Sequence, residues 1–220
     1  MTQINETNHL SGTVDFNTFK LGKHSLAKDI VILEVTSKEK HEPVSYKSLF
    51  LKRLDGVKIN SSQVLYSKKN TNGDISELIL LNSTGDAYSY GIIEEVPKIN
   101  DSNRYTGSYK GYIGTNPFAA SASTIWTNVS AGNPVQIVMN GNSVYGLRPL
   151  KKIQSDIVEI SKSEFTNSEK TYRISDNCLI YDSTYNVISF ENAVYNSKYI
   201  LEFYADSSSD TIRVIKARKK

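Results

Sequence analysis

Apolar residues in this chain recur at every second position, not at helical spacing. They fall in short runs rich in Val, Ile, Tyr, Phe and Thr, and this periodicity restricts the fold to strands. Clear alternation appears in Val135-Gln136-Ile137-Val138-Met139, in Ile200 to Tyr204 and in Thr211 to Ile215, each bounded by Asn, Gly, Ser or Asp. Asn72-Gly73 and Asn140-Gly141 separate strand-like runs. Each predicts a hairpin, because Asn and Gly tolerate the positive φ of a type I′ turn. The fold class is all-β.

Self-comparison adds organisation, since the first and last thirds of the chain line up with few gaps. Phe19-Lys20-Leu21-Gly22 leads to Asp29 to Leu33, Val44 to Leu49, Val64-Leu65-Tyr66, a polar turn and Ile75 to Leu78. Tyr172 to Ser175 leads in the same order to Cys178 to Tyr181, Ile188 to Ala193, Leu201-Glu202-Phe203, a polar turn at Asp206 to Asp210 and Ile212 to Ile215. The middle third repeats only the closing hairpin. The reading is tandem small β-barrel or sandwich modules with two clear copies and one degraded copy. Residues 1–14 form a polar extension, 15–92, 93–152 and 153–220 the three modules. Residues 100–123 read as a long hairpin or exposed loop, and Lys216 to Lys220 as a solvated basic tail.

Charge and cysteine use exclude several classes. The 26 Lys plus Arg against 23 Asp plus Glu leave +3 in 220 residues, too weak a bias to imply nucleic acid or anionic lipid. A lone Cys178 forms no internal disulfide, so the fold rests on its core. No apolar run approaches the roughly 20 residues of a membrane span, and the first residues lack a signal-peptide h-region.

Chemistry-bearing patterns are scarce. His9, His24 and His41 have no ligand-like spacing and read as surface or turn residues, so no metal or other cofactor is implied. Cys178 sits in a strand whose copy is apolar, which predicts a core thiol. No G-x-S-x-G, G-x-x-x-x-G-K or G-x-G-x-x-G occurs, so no catalytic residues are assigned and no small-molecule substrate is expected. Asn70-x-Asn72-Gly73-Asp74 echoes a calcium loop, but its twelfth position is Leu81 where a bidentate Glu is required. Turn chemistry explains it and the Asp206 to Asp210 segment. Glu94-Glu95, adjacent on a strand, point to opposite faces and read as solvating an edge. The N-x-S/T triplets beginning at Asn5, Asn60, Asn82, Asn100 and Asn128 are given no role.

Tyrosine is the one compositional excess, concentrated at Tyr88, Tyr90, Tyr105, Tyr109 and Tyr112. Rings interleaved with Lys110 suit stacking on sugars, and Tyr105, Tyr109, Tyr112 and Trp126 are the candidate ligand-binding residues. That reading requires all four rings exposed on one face; Trp126 in a core would sink it. Single-stranded nucleic-acid binding would need Arg104, Lys110, Lys151 and Lys152 to line a groove beside them, and is disfavoured.

The stretch Gly73-Asp74-Ile75-Ser76-Glu77-Leu78-Ile79-Leu80-Leu81-Asn82-Ser83-Thr84-Gly85-Asp86-Ala87-Tyr88-Ser89-Tyr90-Gly91 resembles the repeated β-rich region near the C-terminus of clostridial S-layer homology proteins. Ser130 to Val135 with its following hairpin and Gly146-Leu147, and then Asp206 to Lys216, resemble the same region in the same order. The likeness spans residues 15–218, though no S-layer homology module itself is recognisable. The resemblance implies a structural or surface-displayed part of a longer exported protein of a Gram-positive bacterium, located in the cell wall or S-layer. Its expected partners are other surface-protein chains or cell-wall polymer, without enzymatic activity. A cell-wall glycan-binding module is the alternative.

Overall fold

The computed structural model describes residues 10–37, 43–121, 126, 128–153, 156–195, 198–206 and 209–220. Strands take 56% and helix 6%, so the period-two reading of an all-β chain holds. The chain divides into two compact units, residues 1–88 and 89–220.

The first unit contains β1 (Gly12–Asp15), β2 (Lys20–Leu21), β3 (His24–Val35), β4 (Tyr46–Leu49), β5 (Lys58–Ile59), β6 (Val64–Lys69) and β7 (Ile75–Leu81). Their order in the sheet is β5-β1-β2-β3-β7-β6, with β4 also on β3. The twelve residues of β3 serve two neighbours on one side: Lys20 and Leu21 of β2 pair with its start, and β4 with its end. Alternate residues from these strands, among them Leu21, Ile32, Ile59, Ile75 and Leu78, join Leu54 in the core. Leu10 and Val14 belong to that core too, so the expected polar extension over 1–14 is corrected: the module begins by Leu10.

The second unit contains β8 (Ser89–Glu95), β9 (Lys98–Ile99), β10 (Tyr105–Thr106), β11 (Ser108–Ile113), β12 (Asn116–Ser121), β13 (Pro134–Asn140), β14 (Ser143–Pro149) and β15 (Lys151–Ile153). It continues with β16 (Glu159–Ile160), β17 (Glu164–Thr166), β18 (Thr171–Asp182), helix α1 (Phe190–Val194), β19 (Tyr199–Ala205) and β20 (Ile212–Lys219). A five-stranded half-barrel, β12-β11-β8-β13-β14, encloses a middle core around Ile93, Val135, Ile137 and Leu147. A six-stranded sheet, β15-β19-β20-β18-β17-β16, encloses a last core around Phe165, Phe203, Ile212 and Ile215. The middle core draws on residues from Ile93 to Leu147 and the last on residues from Ile153 to Ala217, and both lie in one unit that begins with β8 at Ser89.

Residues 100–121 carry β10 to β12, with β11 and β12 paired as a hairpin, the first of the two readings of that stretch; residues 122 and 123 lie outside the described residues. Two local expectations change. The basic tail is a strand: β20 runs to Lys219, with Ala217 buried and Lys216 half-buried. Both Asn-Gly hairpins form, but with other turns. The first closes through Asn70 to Asp74, where Asn70 Oδ1 accepts from the amides of Asn72 and Asp74 and only Gly73 takes positive φ. The second pairs Asn140 with Ser143, so Gly141 is the first loop residue at φ +58°, the position a type II′ turn gives to glycine.

One pairing pattern occurs twice. β3 runs parallel to β7, stepping from Leu26↔Ile75 to Val31↔Glu77, and β18 runs parallel to β20, stepping from Ile174↔Ile212 to Leu179↔Val214. In each case five residues of the long strand (31 − 26, 179 − 174) advance against two of the closing strand (77 − 75, 214 − 212). Each closing strand also pairs antiparallel with the strand before it, β6 or β19. The half-barrel, antiparallel in all its described pairs, does not share the pattern.

Candidate functional site

The half-barrel separates the four candidate rings. Tyr105 in β10 is exposed, but Tyr109 on β11 is only 3% exposed and lies in the middle core. Trp126 packs against the same core, edge-on to Tyr109 with ring centres 4.9 Å apart, and its amide donates to Tyr109 Oη at 3.2 Å. Tyr112, three residues from Tyr109, falls on the opposite face of β11, because side chains alternate along a strand. The joint exposed face required for stacking on a sugar is therefore not built from these residues. Position alone suggested it, since a Tyr in a strand reads the same whether its face is wet or dry.

Tyr112 belongs to a different cluster, in the seam between the middle and last cores. Its ring stacks on Tyr185 at 6.3 Å, and its hydroxyl donates to Glu94 Oε1 at 3.3 Å, which raises its pKa. Beside it Tyr181 is fully buried; its hydroxyl donates to Tyr112 O at 3.1 Å and accepts from Gly114 N at 2.9 Å. Burial pushes Tyr181 up to about 12. Lys216 Nζ donates to Gly132 O at 2.9 Å, and desolvation lowers its pKa. These groups tie two cores together.

The candidate nucleic-acid cations are engaged or scattered. Lys110 pairs with Glu95 at 2.8 Å, and Lys152 with Glu202 at 2.8 Å, while Arg104 and Lys151 are exposed. Glu95 ends β8, which is a central strand and not the edge expected for Glu94-Glu95.

Sequence reasoning missed two buried acids. Glu34 on β3 is wholly buried, and its carboxylate accepts from Thr84 N, from Thr84 Oγ1 at 2.7 Å, and from Gly85 N and Ala87 N at 3.2 Å each. Next to it Arg53 grips Asp86 in two bonds, at 2.5 and 2.8 Å. The other acid is Asp206, which accepts from Arg213 Nε at 2.8 Å, with both side chains 2% exposed. Arg213 also donates to Ser175 Oγ at 3.1 Å and lies 4.8 Å from the Tyr90 ring centre. The available signal was a charged residue inside an apolar run: Glu34 after Ile30 to Leu33, and Arg213 between Ile212 and Val214.

A cavity of about 280 Å³ opens beside the β18 bulge, lined by Ile174, Cys178 and Ile180 of that strand and by Ile188 and Phe190. Cys178 is among its lining residues, and burial pushes the thiol up to about 12, so it stays a protonated, weakly nucleophilic group at neutral pH. At the rim Lys162 pairs with Glu191. His24 lies in β3, where desolvation lowers its pKa; His9 and His41 lie outside the described residues. Among the described residues no three His, Cys, Asp or Glu side chains gather in metal-binding fashion, and no helix is long and apolar enough to cross a membrane. Comparison with known families, curated proteins and solved structures returns no match.

Proposed function

We propose that this chain is a non-enzymatic structural module of a bacterial cell-surface protein, a spacer that holds its shape under tension. The observation that carries this reading is the parallel pairing of each closing strand with a long earlier strand, β7 with β3 and β20 with β18. When a chain is drawn out from its ends, two parallel neighbours pulled at opposite ends must slide lengthwise. Their bonds lie across the strands and resist together, whereas a hairpin opened at its tip breaks them one at a time. The C-terminal strand β20 is held on both sides, by five pairs to β18 and seven to β19. Buried polar clamps, Glu34 on its loop and Asp206 with Arg213, add ties of the kind that specify one arrangement. The surface location rests on the resemblance of residues 73–91, 130–135 and 206–216.

The test is single-molecule extension along two directions. Lys198 and Lys220 adjoin, with Lys220 N donating to Lys198 O, so handles placed there unzip β19 from β20. Handles at the two chain ends load β20 in shear. The end-to-end pull should require the higher unfolding force. Equal forces, or a lower one end-to-end, would reject the tension-bearing role.

A further inference from the structure

Among the described residues, strand β4 has a strand partner on one side only. Its register on β3 runs from Ile32↔Leu49 to Val35↔Tyr46, and Thr36 N donates to Ser45 O at 3.1 Å. Bonded and non-bonded pairs alternate in an antiparallel ladder, so residues 45, 47 and 49 turn their amides toward β3 while 46 and 48 turn theirs away. Among the described strands β4 pairs only with β3. Leu49 enters the core, and the opposite face presents Tyr46 and Phe50, which are 74% and 86% exposed. Phe50 keeps extended geometry, φ −82° and ψ 145°, and so prolongs the strand. In the last core the matching segment turns into helix α1 soon after Ile188, with Ser189 as its N-cap. Outward amides beside large exposed rings make an edge that templates another strand.

We propose that this edge pairs with the β4 edge of a second copy of the chain, antiparallel and centred on Ser48. Charge and ring placement select that register. Centring on Lys47 would set Lys47 against Lys47 of the other copy, and like charges directly opposite repel. Centring on Tyr46 would leave Phe50 beyond the paired region. Centring on Ser48 puts Tyr46 opposite Phe50 twice and Lys47 opposite Leu49. The two rings contribute roughly 300 Å² per copy. A standing dimer buries about 800 Å² per partner, so the contact forms among chains held side by side at high local concentration. The inference deepens the structural reading above and rests on it for its purpose. The geometry of β4 is independent of the pulling result, so the two fail separately.

Disulfide trapping tests it. In a Cys178→Ala background, Ser48→Cys places the single thiol at the symmetry centre. A bonded antiparallel pair holds its Cα atoms about 5.5 Å apart, inside the range a disulfide spans. Lys58→Cys, exposed on the edge strand β5, is the control, and far-UV circular dichroism verifies that each variant is folded. Under mild oxidation Ser48→Cys should form covalent dimer about tenfold faster than the control, because pairing raises the local thiol concentration. Adding Tyr46→Ser and Phe50→Ser should return it to the control rate. Equal rates for Ser48→Cys and Lys58→Cys, or a rate unmoved by removing both rings, would overturn the proposal.

Discussion

Glu34 and Asp206 are both buried carboxylates, yet the fold meets their charge in different ways. Burying a charge is costly unless it is paired or hydrogen-bonded. Glu34 is met by backbone amides and a hydroxyl from one loop, so its contacts close that loop onto β3. Asp206 is met by a guanidinium and by Ser209, whose amide and hydroxyl donate at 2.6 and 2.7 Å. Burial pushes the Asp206 pKa up, but Arg213 and the Ser209 bonds outweigh it and hold the carboxyl below 3.8. The folded state therefore binds this proton less readily than the unfolded chain. The stability it contributes is complete above about pH 4 and is lost as pH falls through the depressed folded value. Asp206→Asn should lower stability at neutral pH by about 3 to 5 kcal/mol, because it leaves Arg213 buried without its counter-charge. It should also flatten the acid limb of a plot of urea midpoint against pH. A variant that loses stability equally at every pH would show that the carboxylate's charge is not what matters.

At the scale of elements, the join of β8 and β11 depends on two glycines. A Cβ on Gly111 would stand 2.1 Å from Ile92 O, and one on Gly91 would stand 2.1 Å from Tyr112 O. Neither residue has positive φ, so the demand is for space and not for an unusual backbone. Replacing Gly by Ala in ordinary backbone stabilises slightly, through the unfolded state. Gly111→Ala should instead destabilise by about 3 kcal/mol, as overpacking does, with Trp126 fluorescence reporting the urea transition in the adjoining core. A neutral or stabilising result would mean that the two strands can separate without loss. Strand periodicity made β13, β19 and β20 legible in the sequence, and Asn-Gly made two hairpins legible. The two parallel pairings were not legible, because strand direction depends on long-range pairing that local pattern does not encode. The Tyr-rich segment misled for a related reason. Tyr109 and Tyr112 read alike in a window of residues, and only the partners of β11 decide which of them faces the core.

For the whole molecule, the question is how far one core's stability extends. The second unit holds two cores with separate apolar contents, yet the links between them are specific and at least partly buried: Tyr181 to Tyr112 and Gly114, Lys216 to Gly132, and Arg213 over Tyr90. Losing the last core would remove these bonds and the cation over Tyr90 and uncover the apolar surface of the middle core beside them, so the two should open as one cooperative element. Trp126, the single tryptophan, lies against the middle core and makes this measurable. Phe203 lies in the last core, fully buried and stacked on Phe165 with ring centres 3.9 Å apart. Phe203→Leu should cost about 2 kcal/mol through lost packing. If the cores are coupled, the tryptophan transition in urea should move to lower concentration by the same amount as the far-UV transition of residues 89–220, although no side chain near Trp126 has changed. If the cores are independent, Trp126 emission should hold its midpoint while only part of the β signal shifts. The proposed spacer role would benefit from the first behaviour, because force entering at β20 would then be opposed by the stability of both cores and not of the last one alone.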